Sequence, residues 1–264
     1  EDAWLYLAQT SDPLFGQQWG LQNASGTVCG YPSDVGSSIG AVPAWSQTTG
    51  SPNVQLAILD TGINPAHEDF GQNRVMLGPD FVNGHGRLAY DDNGHGTAVT
   101  GIAAAVGNNS TGVAGVAWQV RPWAVKLLDF NGGGHPSNLD SGLVWADSMV
   151  MPIINMSLGW PEGGLDLGSG GHHMLAGATL NAFKRGLFLV AAAGNARTGL
   201  GYGPFLACPA DLSRRVYAVG AFLPNGNRWQ DDVELQASCN DFAPCLQSNY
   251  GPFLDAMAPG GRWP

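Results

Sequence analysis

Val54-Gln55-Leu56-Ala57-Ile58-Leu59 is a near-continuous apolar run, and it ends directly on Asp60-Thr61-Gly62. A run of this length with little alternation suits a strand covered on both faces, as strands of a parallel sheet are. The carboxyl end of this strand then carries a carboxylate. In open α/β sheets that end is where binding and catalytic sites form.

The pattern repeats downstream. Helical periodicity is expected over residues 95–105, 137–148 and 171–185, the first of them buried, and strands over 120–128, 151–157, 187–193, 216–222 and 253–257. Strands and helices alternating this way imply an α/β fold, a doubly wound, mostly parallel sheet with helices on both faces. Upstream, Asp12-Pro13 marks a turn and Trp19-Gly20-Leu21 reads as a docking segment. Residues 29–40 are rich in Gly, Ser and Pro and read as a surface loop, followed by a short helical turn over 41–47. One domain is expected over residues 1–264, its N-terminal arm covering about residues 1–40.

The second informative stretch is Asp91-Asp92-Asn93-Gly94-His95-Gly96-Thr97, which opens the first helix. A histidine between two glycines can be approached closely by other backbone while its ring faces a cleft. Such a histidine is a candidate proton carrier, and its chemistry depends on an orienting carboxylate, an oxyanion donor and a nucleophile.

Composition narrows the partners. A formal net charge of −10 with 12% charged residues disfavours nucleic acid and anionic membrane surfaces. No apolar run approaches the roughly 20 residues of a membrane span. The chain starts at Glu1 with no signal peptide ahead of it, so a processed N-terminus is expected. Four cysteines are an even count, and Cys239 and Cys245 bracket a short loop that would close as a disulfide, leaving Cys29 and Cys208 to pair. Their spacing matches no zinc template. An oxidising, extracellular compartment follows, and a secreted protein is expected.

Three blocks coincide with one family. Leu59-Asp60-Thr61-Gly62-Ile63, Asn93-Gly94-His95-Gly96-Thr97 and Ala191-Ala192-Ala193-Gly194-Asn195 resemble, in that order, the aspartate, histidine and oxyanion-asparagine motifs of the subtilisin-like serine peptidases, thermitase-like members in particular. Asn155-Met156-Ser157-Leu158-Gly159 and Leu254-Asp255-Ala256-Met257-Ala258-Pro259-Gly260 are similar to further segments of that family. The resemblance implies a serine endopeptidase in which His95 is the general base, Asp60 orients its ring and Asn195 donates to the oxyanion. Taken singly, Asp60 could be a turn aspartate and Asn195 a loop amide.

The same resemblance implies that Gly132, Gly133 and Gly134 on one side and Ser157, Leu158 and Gly159 on the other bind an extended peptide or protein substrate through their backbones. A flexible turn or a phosphate cradle would be the other uses of the glycine run, but no Lys-Ser/Thr pair follows it. A structural calcium ion is implied as well, held by Asn109 Oδ, the carbonyls of Val106, Thr111 and Val113, and the carboxylates of Asp12 and Asp69. A plain Asn-Gly turn is the alternative.

The family's nucleophile lies in a Gly-Thr-Ser-Met segment opening a long buried helix, and this sequence stops at Gly261-Arg262-Trp263-Pro264 before it. Ser157 belongs to the substrate strand and Ser248 to a loop, so neither takes that role. The expectation is the N-terminal part of a peptidase whose serine comes from a missing segment or a second chain. The alternative is a nucleophile-less relative that acts as a peptide-binding or regulatory module. Among the other histidines, His172-His173 are adjacent on a helix and do not share a face, which argues against a metal pair. His67 and His85 read as loop residues, and His135 as a residue that could line a substrate subsite.

Overall fold

The apolar run at residues 54–59 becomes strand β3 (Gln55–Asp60), the third because a short antiparallel ladder of β1 (Thr27–Val28) and β2 (Tyr31–Pro32) and a one-turn helix α1 (Ala41–Trp45) precede it. This computed structural model describes residues 10–23, 26–28, 31–84, 86–159, 170–195, 215–228, 248 and 254–260. The ladder corrects the loop reading of residues 29–40: Tyr31 and Pro32 pair back onto Val28 and Thr27. All four cysteines lie outside the described residues, as does His85, and the side chains of His172 and His173 do too.

β3 is the third strand of a seven-stranded sheet. The others are β4 (Met76–Asp80), β5 (Arg121–Lys126), β6 (Ile153–Met156), β7 (Phe188–Ala192), β8 (Val216–Phe222) and β9 (Ala256–Pro259), in the order β4-β5-β3-β6-β7-β8-β9. Every pairing in it is parallel. The chain leaves β3 toward β5 on one side and returns to β6 on the other, so the connections part at the carboxyl end of β3, the place where open sheets make a crevice. Asp60 is the last residue of that strand.

Two differences from the sequence expectation have local causes. β4 was not legible because Gly78 and Pro79 punctuate it like a turn. It survives as an edge strand with a register shift between Leu77 and Asp80, where a missing N–H is tolerated. The last strand is Ala256–Pro259 rather than residues 253–257, because Val219 pairs with Ala256 and Phe222 with Pro259.

Helices cover the two faces unequally. α3 (Pro136–Ser148) and α4 (Gly170–Lys184) pack on one face, where Leu139, Leu143, Ala146 and Ala182 meet Leu59, Val125, Ile154, Met156 and Leu189. Complete burial of each large side chain in that layer contributes roughly 1.5–3 kcal/mol of transfer free energy. α2 (His95–Ala104) lies on the other face, where Val99 packs toward Ile58, Ile63 and Ala124. It is not the fully buried helix expected. Gly96, Thr100 and Ala104 form its buried stripe, and Ile102 is 68% exposed. Beyond β6 that face is also more open: Phe188 and Tyr217 are 49% and 38% exposed with ring centroids 5.4 Å apart. No helix among the described residues is long and apolar enough to cross a membrane.

The N-terminal arm docks as the Trp19-Gly20-Leu21 segment predicted. Leu21, Val42, Trp45 and Ala114 form a small core, and the Gln18 side chain makes two 2.8 Å hydrogen bonds with the backbone of Ala114.

Candidate active site

The end of β3 and the start of α2 meet backbone to backbone, and two glycines make this possible. Gly62 has φ +108, and a Cβ there would lie 2.6 Å from the Tyr90 carbonyl. A Cβ on Gly96 would lie 2.1 Å from the Gly62 oxygen. Of the two glycines flanking His95, Gly96 thus serves close approach, whereas Gly94 has open space around it and supplies a positive φ of 105° at the helix cap.

This contact brings the predicted carboxylate and histidine together. His95 Nδ1 lies 2.7 Å from Asp60 Oδ1, with Asp60 fully buried and the imidazole half exposed. The Thr61 N–H donates to the same oxygen at 2.7 Å. With Nδ1–H donating to the carboxylate, Nε2 is left as the basic nitrogen. The hydrogen bond to Asp60 raises the His95 pKa above its ordinary value of 6.5; partial burial opposes this, and the charges of Asp60 and Asp91 add to it.

The first turn of α2 is capped by three separate side chains. Asn93 Oδ1 accepts from the His95 N–H at 3.1 Å, Thr61 Oγ1 from Gly96 N–H at 2.9 Å, and Asp91 Oδ2 from Thr97 N–H at 3.0 Å. These are the donors that a helix leaves unpaired at its N-terminus. Asp91 also accepts from the Thr61 hydroxyl at 2.8 Å, Asn93 N–H at 3.0 Å, Gly94 N–H at 2.9 Å and the Thr97 hydroxyl. Burial works to raise its pKa, but the bonds from Gly94, Thr97, Asn93 and Thr61 prevail and hold it at about 2. Its contribution to folding is therefore in place above the ordinary 3.8 and fades as pH falls toward about 2.

Lys126 completes the frame from β5, where it pairs in register with Asp60. It is 1% exposed, and its ammonium donates to the Thr61 carbonyl at 2.7 Å and to Asp92 Oδ1 at 2.6 Å. Sequence reasoning missed Asp91, Thr61 and Lys126. The signals for them were a cluster of cap-forming residues directly ahead of a helix, and one lysine inside an apolar strand.

The other expected residues reach the same edge of the sheet. Ser157 follows β6, and the Asn155 amide donates to its hydroxyl at 3.0 Å. Asn195 follows β7, past Gly194 with φ 95°, and is exposed. Residues 129–133 form a turn closed on Asp129, whose Oδ1 accepts from the Asn131 and Gly133 N–H groups at 2.9 Å each. Gly132 takes φ +79, and a Cβ on Gly134 would lie 2.5 Å from the Leu127 oxygen. Asn93 ties this turn to the histidine loop by donating to the Phe130 carbonyl at 2.9 Å. His67 is a cap rather than a free loop residue, its Nδ1 accepting from Asp69 N–H at 3.2 Å.

The residues expected to hold calcium also converge. Asp12 and Asp69 are 5% and 2% exposed and form no salt bridge among the described residues. Asp12 accepts from the N–H groups of Asn108 and Asn109 at 2.7 and 2.9 Å; Asp69 accepts from Asn109 Nδ2 at 2.9 Å and Val113 N–H at 2.8 Å. Val106 N–H donates to the Asp69 carbonyl at 2.8 Å, and Thr111 N–H to Asn109 Oδ1 at 2.8 Å. Two buried carboxylates without a cationic partner among the described residues suit a hard cation such as calcium, and each of their four oxygens accepts one N–H. Asn109 would have to turn its amide over to present oxygen. No group of three or more His, Cys, Asp or Glu side chains suited to a metal occurs among the described residues, so backbone carbonyls would supply much of the coordination.

Comparison with known proteins gives consistent matches. Residues 51–262 match the sequence profile of the subtilase family. The chain is 38% identical over 208 residues to subtilisin DY of Bacillus licheniformis, covering 79% of this chain and 65% of that protein. It is 36% identical over 217 residues to a thermophilic serine proteinase of Bacillus sp. (strain AK1), covering 82% of this chain and 46% of that one. A crystal structure of a cold adapted subtilisin-like serine proteinase superposes with a TM-score of 0.62 at 25% identity, covering 92% of this chain and 72% of the other. The chain thus spans less than two thirds of the length of these two sequence relatives.

Proposed function

This chain belongs to the subtilase family, and from that premise we propose that it carries the acid–base half of a serine endopeptidase active site. The 2.7 Å contact between the His95 ring and the buried Asp60 carboxylate is the observation that carries this reading. Nε2 takes the proton of a serine hydroxyl as that oxygen attacks the scissile carbonyl, and returns it to the leaving amine. Asp60 keeps the ring in one tautomer and stabilises its charged form. Asn195 donates its side-chain amide to the developing oxyanion. The serine itself is supplied by polypeptide outside these 264 residues, as a following segment or a second chain. The retained oxyanion asparagine favours a peptidase over a binding module, which has no use for it.

Peptide or protein substrates lie extended between the Gly132–Gly134 and Ser157–Gly159 segments, where glycines allow backbone to approach backbone. Secretion is supported by the even cysteine count and the acidic, lysine-poor composition.

Intact mass under denaturing conditions, combined with a serine-directed phosphonate, tests the reading on the purified protein. A second polypeptide, or a longer form of this one, that takes the label is expected; a single unlabelled 27.5 kDa species would sink it. In the complete enzyme, Asn195→Ala should lower kcat by about 10²–10³-fold with little change in KM, as loss of one oxyanion donor does in subtilisin. A parallel rise in KM at constant kcat would instead make Asn195 a ground-state binding residue.

Calcium, where bound, would be held by Asp12, Asp69, Asn109 and the carbonyls of Val106, Thr111 and Val113. It would pin the N-terminal arm to the domain, since Asp12 belongs to the arm and Asp69 to the body. Chelation should lower the melting temperature, and added calcium should restore it. An Asp69→Asn variant should no longer respond to either, and identical melting curves with and without chelator would refute the site.

A further inference from the structure

Asp91 does not touch the His95 ring, yet its carboxylate is the most heavily bonded group near it. One oxygen accepts from Thr61 at the end of β3 and from Asn93 and Gly94 ahead of α2. The other accepts from the N–H and hydroxyl of Thr97, inside the first turn of α2. Thr61 is in turn joined to Asp60 through its N–H, and to Gly96 through its hydroxyl. The segment after the strand that carries the carboxylate and the helix that carries the histidine are thus linked through the Asp91 side chain, beside the direct bond from Gly96 N–H to the Thr61 hydroxyl. We propose that Asp91 is a positioning residue for His95: it clamps the first turn of α2 onto the end of β3, and so fixes the ring with Nδ1 toward Asp60 and Nε2 toward substrate. The proton-transfer role of His95 rests on the function proposed above; the clamp itself does not.

Two features separate the clamp from ordinary helix capping. Gly94, at the cap position, has no side chain to bond, so the N-terminal donors are met by Asp91 and Asn93 of the loop ahead of the helix and by Thr61 after β3. Moreover, the tightest approach of α2 to the end of β3 is backbone on backbone, Gly96 against the Gly62 oxygen. Such a contact offers no interlocking side chains to resist sliding or rotation of the helix. The charges that act on the ring are those of Asp60 from β3 and Asp91 from the loop ahead of α2; Asp92, next to Asp91, is engaged by Lys126 from β5, which also donates to the Thr61 carbonyl. Asp91 is left free to serve the helix.

The ring can be observed in this chain without any hydrolysis. With ¹⁵N-labelled histidine, imidazole nitrogen shifts report the tautomer and titration of His95. The wild type should show the Nδ1–H tautomer alone when neutral. Asp91→Asn should populate both tautomers and move the titration to lower pH. Asp92→Asn removes the neighbouring charge, which bonds Lys126 and no α2 N–H, and should leave the tautomer in place. Unchanged tautomers in Asp91→Asn, or equal loss in Asp92→Asn, would overturn the clamp. Should Asp91→Asn fail to fold by thermal melting, Thr61→Val removes the strand side of the link together with the acceptor of the Gly96 N–H and should give a partial tautomer loss; none would count against the proposal. In the complete enzyme Asp91→Asn should lower kcat by about 10²-fold with KM nearly unchanged, since a small misplacement of a catalytic group has that cost. Absence of hydrolysis in the wild type would bear on the proposed function and leave the tautomer test intact.

Discussion

His95→Ala is expected to remove peptide hydrolysis from the complete enzyme, lowering kcat by about 10⁶-fold, the scale that loss of the triad histidine has in subtilisin. The geometry supplies the reason. The imidazole is half exposed on its substrate side while its other nitrogen is fixed at 2.7 Å from a fully buried carboxylate, so one group both takes and returns the proton. No other histidine ring among the described residues is hydrogen-bonded to a carboxylate. Phosphonate labelling should vanish with hydrolysis, because the reagent needs the same activated hydroxyl. Folding should lose about 1–3 kcal/mol, since the buried Asp60 carboxylate keeps only the Thr61 N–H as donor. Labelling that persists at the wild-type rate in His95→Ala would show that the base lies elsewhere.

Asp60→Asn should cost about 10⁴-fold in kcat, again the scale seen in subtilisin. Two donors, Thr61 N–H and His95 Nδ1–H, already converge on Oδ1, so the amide oxygen would keep that side. The new NH₂ would then occupy the Oδ2 position, which is buried and has no hydrogen-bond partner among the described residues. The variant loses the negative charge and gains an unsatisfied donor, worth about 1–3 kcal/mol of stability. The pH profile provides a sharper readout. Activity requires the neutral ring, and the hydrogen bond and charge of Asp60 both raise the His95 pKa, so the acidic limb of kcat/KM lies above the ordinary 6.5 in the wild type. Removing those two causes should move the limb to lower pH. A limb that stays in place would mean that Asp60 does not set the ring.

Much of this site is legible in the sequence because its determinants are local. An apolar run followed by Asp60 fixes both a buried strand and the residue at its exit, and Gly96 marks where backbone must pass. The clamp was not legible. Asp91 stands next to Asp92 and close to Asn93, all polar residues before a helix, and nothing in the string says which one caps it. Asp92 bonds Lys126, Asn93 is shared between the Phe130 carbonyl and the His95 N–H, and Asp91 takes the Thr97 N–H. β4 was hidden for a related reason, since Gly78 and Pro79 read as a turn unless a neighbouring strand is there to pair with.

The sequence by itself determined the alternation of strands and helices, the doubly wound class and the candidacy of Asp60, His95 and Asn195, because hydrophobic period and short motifs are properties of contiguous residues. Only the tertiary structure decided the strand order, with the crevice at the end of β3. It also decided which face stays open beside α2 and Phe188, and the bonding of Thr61, Asp91 and Lys126 around the pair. Those depend on which distant segments share space, and a hydrogen bond between residues 30 or more apart, such as Thr61 to Asp91, leaves no period in the chain.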